Sequence, residues 1–371
     1  MRSTWLALLL ISGCGGGSSS APDGAADGTS IDGPPPPTRY VAYVSGGTDI
    51  AWYDVDKSSG ALTPIASIAS FRTGANFLAF HADNLYAVTS GDRVGAYAID
   101  PSTAGLTFIN DVPSGGIGVA HVSVDRSGAY VLVANYGSGH VAVMPVKADG
   151  GLAPAPQPIL AGANAHQIIT DAANKFAFVP CLGDDKVAQY VFDAATGDLT
   201  ASSVPQLDTA NGAGPRHLAF APDGAHAYLI NELNSTLTAL AYDPTTGQLS
   251  ELQTVTTRAA GATGTNSGAE VAVHPNGRFV YGSNRGDNNI AVFSVDATTG
   301  RVTAIDHTST QGMTPRNFTL DPSRTLLYVA NQDSNSVVPF KIDTTTGRLT
   351  ATATPITVPA PQFVGIVALP L

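Results

Sequence analysis

The same block recurs seven times along this chain, at intervals of 43 to 53 residues, and that recurrence constrains the fold more than any other feature. Four copies align directly: GPRHLAFAPDGAHAYLINELNSTLTALAYDPTTGQLSEL from Gly214, GAEVAVHPNGRFVYGSNRGDNNIAVFSVDATTGRVTAI from Gly268, TPRNFTLDPSRTLLYVANQDSNSVVPFKIDTTTGRLTAT from Thr314 and VAHVSVDRSGAYVLVANYGSGHVAVMPVKADGGLAP from Val119. A fifth starts at Asn164, a worn sixth at Asn76, and a split seventh at Val41. Each holds an alternating apolar run, a tight turn, a second run ending near Asn, a third run and a T-T-G-x-L hairpin. The strand-end positions are Gly46, Thr89, Asn135, Cys181, Asn231, Asn284 and Asn331.

Four short strands joined by tight turns make one propeller blade, so the chain is predicted to be an all-β, seven-bladed β-propeller. The first unit lacks its innermost strand, and the tail PQFVGIVAL (Pro361 to Leu369) reads as a strand without a blade. The tail is therefore expected to complete blade 1 and close the ring, removing the open edges of a linear array. Gly and Pro interrupt every helical pattern within two turns.

The amino terminus is of another kind. Arg2 precedes a seven-residue apolar stretch, Trp5 to Ile11, too short to span a bilayer. Ile11-Ser12-Gly13-Cys14 resembles the bacterial lipobox, in which the cysteine is lipidated. Residues 1–13 are thus expected to be a signal peptide and 14–38 a disordered Gly/Ser/Pro-rich tether with almost nothing to bury. Residues 39–371 form the propeller. The expected product is an exported lipoprotein at the outer membrane or cell surface, held to the membrane by its lipid anchor alone. With Cys14 lipidated, Cys181 has no disulfide partner. The net charge of −11, with no basic stripe, argues against nucleic acid.

Antiparallel pairing brings the start of each innermost strand and the end of the next to one mouth of the central channel. Strand starts contribute Ala120-His121, His166-Gln167, Arg216-His217, Ala269-Glu270 and Arg316-Asn317. Strand ends contribute Asn135-Tyr136, Cys181-Leu182, Asn231-Glu232, Asn284-Arg285 and Asn331-Gln332. In a chain with only 13% charged residues, this collection of His, Arg and Glu marks a site, because ionisable groups in an apolar ring are costly unless paired or wet. The Asn column and the hairpin Asp residues are read as turn chemistry, and His81, His226, His274 and His307 as solvated. There is no G-x-S-x-G elbow, metal-ligating histidine spacing, calcium loop or nucleotide-binding glycine fingerprint.

GPRHLAF, YLINELNSTL, YDPTTGQL, VYGSNRGDNNIAVFSVD, TPRNF and LLYVANQDSNSVV together resemble the propeller-type lactonases, a family that includes bacterial 6-phosphogluconolactonase and fungal carboxymuconate-lactonising enzymes. The likeness runs from Tyr40 to Leu371 and is densest from Gly214 to Ile342. It implies hydrolysis of a small-molecule sugar lactone without a cofactor; no metal is expected, and the chain is expected to be a monomer. It also implies a catalytic set falling on His166, Arg216, Glu232 and Arg285; His121, His217, Glu270, Arg316 and Asn331, from the same two columns, are expected to bind the substrate. Lactone opening needs an activated water, an oxyanion donor and an acid for the leaving alkoxide. YVANQDSNSV also resembles surface-layer propeller repeats, so the alternative is a non-catalytic, surface-anchored propeller that binds a glycan or protein partner.

Replacing Cys14 with Ser is expected to move the protein from the membrane to the soluble fraction. Mass spectrometry of the mature amino terminus checks this, and an unmodified Cys14 on a soluble wild-type chain contradicts the anchor.

Overall fold

The computed structural model describes residues 38–371 apart from 73 and 90, so the lipobox and the tether up to residue 37 lie outside the described residues, and Thr38 begins the first strand. Among these residues there is no α-helix, only a single 3-10 turn at Leu182–Asp184, and no helix is long and apolar enough to cross a membrane. The strands form seven sheets, six of four strands and one of five. Blade 5 is representative: Pro215–Phe220, His226–Asn231, Thr236–Asp243 and Gln248–Thr256 pair antiparallel in sequence order. The second strands end at Gly46, Val88, Asn135, Cys181, Asn231, Asn284 and Asn331, so the strand-end column is displaced only in worn blade 2, where Thr89 lies one residue beyond.

Seven hydrophobic clusters lie in the seven gaps between consecutive blades. One joins blades 7 and 1 through Ala42, Val44, Tyr328, Ala330 and Val337, and another joins blades 6 and 7 through Tyr281, Val292, Leu327 and Phe340. Each blade is buried on both faces, so inner strands such as Phe279–Asn284 and Leu326–Asn331 are buried at every position. Outermost strands such as Leu62–Ala69 face solvent.

Hydrogen bonds register each blade against the next. The hydroxyls of Tyr43, Tyr228 and Tyr281 donate to the carbonyls of Ala104, Gly300 and Gly347, at 2.8, 3.0 and 3.0 Å, all in the following blade's outer hairpin. Gly347 has φ 76°, and a Cβ there lies 2.5 Å from the Phe279 ring, so T-T-G serves both the turn and the blade interface. The hairpin Asp residues are turn chemistry: Asp343 Oδ1 accepts from the backbone N–H groups of Thr345 and Thr346. His274 departs from expectation. It is buried, because its Nε2 bonds the carbonyl of Arg324 in blade 7 at 2.9 Å and so joins two turns that the sequence shows as separate.

The carboxy-terminal strand closes the ring. Pro361–Pro370 pairs antiparallel with Thr38–Gly46, setting Val41 opposite Val367 and Ser45 opposite Phe363, as blade 1 of the sequence requires. Val364, Phe363 and Leu369 are buried by this pairing.

Deleting residues 361–371 exposes the edge of Thr38–Gly46 and removes three buried apolar side chains. At about 1.5–3 kcal/mol each, this is a loss of several kcal/mol against a total stability of about 5–15. The truncated protein is expected to aggregate or to melt far below the full chain. Unchanged melting rules out closure by this strand.

Candidate active site at the channel mouth

Two local devices aim side chains at one mouth. At strand starts the pairing register skips Ala120, Arg216 and Arg316, which sit at β-bulges between Val119 and His121, Pro215 and His217, and Pro315 and Asn317. A bulge turns its extra residue out of the ladder, so each arginine leaves the sheet at the mouth. At strand ends, the residue after each Asn is clamped to the loop before the innermost strand. The N–H of Glu232 donates to Gly214 O at 2.7 Å, that of Arg285 to Ser267 O at 2.9 Å and that of Tyr136 to Gly118 O at 2.8 Å.

These devices produce a pocket of about 300 Å³ lined by Asn76, Gly118, Val119, Ala120, Tyr136, His166, Glu232, Arg285 and Arg316. Arg216 is 2% exposed and lies behind Glu232. The carboxylate of Glu232 bridges two guanidinium groups, with Oε2 3.0 Å from Arg216 Nε and Oε1 2.9 Å from Arg285 Nη2. The Nε–H of Arg216 is not aligned on the oxygen, so this contact is an ion pair rather than a directed hydrogen bond. Arg216 Nη1 donates to Ala269 O at 2.6 Å, and Arg285 Nη2 to Gly268 O at 3.0 Å. Arg316, although it lines the pocket, makes no ion pair or side-chain hydrogen bond among the described residues.

Protonation states follow from this packing. Burial pushes the Glu232 carboxyl up, but Arg216 and Arg285 more than offset it, and the net shift is downward. Burial, with Arg285 next, brings Arg216 down to about 9, which leaves it charged at neutral pH. Burial first, then neighbouring His and Arg groups, holds His121 and His166 well below the ordinary imidazole value. Three guanidinium groups (Arg216, Arg285, Arg316) against two carboxylates (Glu232, Glu270) leave one surplus positive charge beside neutral histidines.

The second row of strand-start residues points into the ring instead. His121, His217 and Glu270 are buried and do not line the pocket. There they form a belt across four blade junctions. Gln167 Oε1 accepts from Leu218 N–H at 2.6 Å, and His217 Nδ1 lies 2.8 Å from Glu270 Oε1. Asn317 Nδ2 donates to Glu270 Oε2 at 2.7 Å, while its Oδ1 accepts from Val364 N–H at 3.0 Å. His121 packs on Phe77 at 4.5 Å and His217 at 5.6 Å between ring centroids. Asn331 is also buried, and its Nδ2 donates to Thr310 O at 3.0 Å, the turn role read for its column. Cys181 is free and buried, with its thiol pushed up to about 12 by burial.

Asn76, Gly118 and Val119 complete the pocket and were not singled out by sequence, whereas Ala120 and Tyr136 belong to the strand-start and strand-end columns. A larger groove of about 370 Å³ between blades 3 and 4, lined by Tyr130, Val143, Pro156 and Leu199, contains one ionisable acid, Asp198, and no partner for it to work with. Among the described residues, no three His, Cys, Asp or Glu side chains are placed to hold a metal ion.

Comparisons with known proteins agree with this architecture. The family model described as Lactonase, 7-bladed beta-propeller, matches residues 38–366. The 6-phosphogluconolactonase of Bacillus subtilis is 35% identical over 306 residues, covering 77% of this chain and 86% of that protein. The 6-phosphogluconolactonase of Pectobacterium carotovorum is 32% identical over 233 residues, 62% of this chain and 68% of the relative. Among solved structures, the periplasmic gluconolactonase of Pseudomonas aeruginosa superposes with a TM-score of 0.83 at 29% identity, covering 90% of this chain and 100% of its own.

The lowered histidines set an acid limit on stability. Unfolded imidazoles titrate near 6.5, whereas the buried ones take up protons only at lower pH, so below 6.5 the unfolded chain binds more protons. Their contribution is therefore complete above pH 6.5 and is lost on acidification, by up to about 4 kcal/mol per pH unit if all three histidines act together. Urea unfolding at pH 7.5 and 5.5 measures this, and equal stabilities contradict buried neutral imidazoles.

Proposed function

Because this chain belongs to the lactonase family of seven-bladed β-propellers, we propose that it hydrolyses a sugar-derived lactone at the mouth lined by His166, Glu232, Arg285 and Arg316. The observation that carries this reading is the surplus positive charge, on an unpaired Arg316, facing a neutral histidine in one pocket. Water attacks the lactone carbonyl carbon and gives its proton to His166. The oxyanion of the tetrahedral intermediate lies against the arginines, and the C–O bond to the ring oxygen then breaks as His166 returns the proton to that oxygen. The product is the open-chain hydroxy acid.

Glu232 suits an orienting role better than that of a base. Both oxygens of its carboxylate are taken up by guanidinium groups, and it holds Arg216 and Arg285 in fixed directions. The lipobox and the likeness to a periplasmic gluconolactonase support an exported, lipid-anchored enzyme. Its substrate would then be an unphosphorylated sugar lactone met outside the cytoplasm.

Purified protein is expected to open glucono-type lactones. His166→Asn and Glu232→Gln should each lower kcat/KM by roughly a hundred- to a thousandfold while melting near wild type. Absence of turnover on any lactone by the wild type refutes the reading, and full activity in both variants moves the site elsewhere.

A further inference from the structure

The belt beneath the pocket contains one link that reaches the site. Both oxygens of the buried Glu270 are engaged: Oε1 takes His217 Nδ1 at 2.8 Å and Val271 N–H at 3.0 Å, and Oε2 takes Asn317 Nδ2 at 2.7 Å. Burial pushes this carboxyl up, but His217 and Arg216 more than offset it, and it is ionised. An ionised Glu270 fixes the imidazole proton on Nδ1, which leaves the Nε2 lone pair of His217 facing Arg216 Nη1 at 3.5 Å. The same nitrogen of Arg216 donates to Ala269 O, the residue before Glu270. One strand, Gly268–Val273, thus grips this guanidinium twice, through its backbone and through the Glu270–His217 pair.

We propose that Glu270 and His217 are positioning residues for Arg216, fixing the direction in which its guanidinium meets Glu232 and the pocket. The proposal rests on the lactonase reading for its consequence and on geometry for its substance. Stability alone does not account for the pair, since a buried charge, even when partnered, stabilises little over an apolar pair of the same shape. Blades 5 and 6 are already stitched at their outer edge, where Gln253 Oε1 accepts from Val302 N–H at 2.9 Å and Nε2 donates to Val302 O at 3.2 Å. Only the inner link presents an acceptor to a site arginine.

Three variants separate positioning from plain stitching. His217→Phe keeps a ring and removes both nitrogens, His217→Gln restores a donor and an acceptor, and Gln253→Ala cuts the outer link between the same blades. His217→Phe is expected to lower kcat roughly ten- to a hundredfold with KM unchanged. His217→Gln should recover most of that, and Gln253→Ala should lower the melting temperature without touching kcat. The Arg216 Nε–H resonance, followed by nitrogen-15 NMR, should shift in His217→Phe and stay in place in Gln253→Ala. Wild-type kcat with an unmoved resonance in His217→Phe overturns the proposal, as does an equal loss of kcat in Gln253→Ala. If the wild type opens no lactone, the lactonase reading fails alone, and the resonance by itself decides whether His217 holds Arg216.

Discussion

Closure of the ring is the constraint on which everything else rests. The pocket draws side chains from blades 2 to 7, and each is fixed only by the blade interfaces on its two sides. An open array of the same blades would leave the last interface unmade and let the two ends drift, so no pair of distant blades would hold a distance. The strand Pro361–Pro370 removes that freedom through its ladder with Thr38–Gly46. Asn317 then ties the closing strand to the site level, because one amide bonds both Val364 N–H and Glu270. Closure and site geometry are therefore one mechanical unit, joined by two hydrogen bonds.

The period of a strand explains why neighbouring residues do such different things. Successive side chains point to opposite sides, so the strand-start pairs divide. Arg216 and Arg316, lifted further by their bulges, reach the mouth, while His217 and Asn317 turn inward and stitch blades together. Burying charge at such a place is costly. That cost is met by partners, Arg216 and Arg285 as opposite charges for Glu232, and hydrogen bonds from His217, Val271 N–H and Asn317 for Glu270.

Much of this was legible from residues alone, and the limits have physical reasons. The repeat exposed the seven blades and the missing inner strand because each blade must present the same faces to its neighbours. Column logic put His166, Arg216, Glu232, Arg285 and Arg316 at one mouth because antiparallel pairing leaves no other arrangement. It could not tell which of two adjacent residues points outward, since the bulges that decide this carry no residue signature beyond the preceding Pro215 and Pro315. Hence His121, His217 and Glu270 were grouped with the pocket although they are buried beneath it. Asn76 was missed because blade 2 is worn, and Gly118 because a glycine brings no side chain to a column. His274 was read as solvated because its partner, the carbonyl of Arg324, lies 50 residues away in another turn.

The three arginines divide their tasks by how each is held. Arg216 is sealed behind Glu232 and anchored to Ala269, so it cannot follow a substrate and acts as a fixed source of positive potential. Arg285 is tied to the same carboxylate and to Gly268, but lines the pocket and can meet a ligand without moving. Arg316 lines the pocket and makes no ion pair or side-chain hydrogen bond among the described residues. A reaction that creates an oxyanion gains most from dipoles and charges fixed before it begins, since their reorganisation is already complete. In the proposed reaction, two arginines held by Glu232 would supply a field set in advance, and Arg316, without an ion pair among the described residues, would be left to meet the substrate.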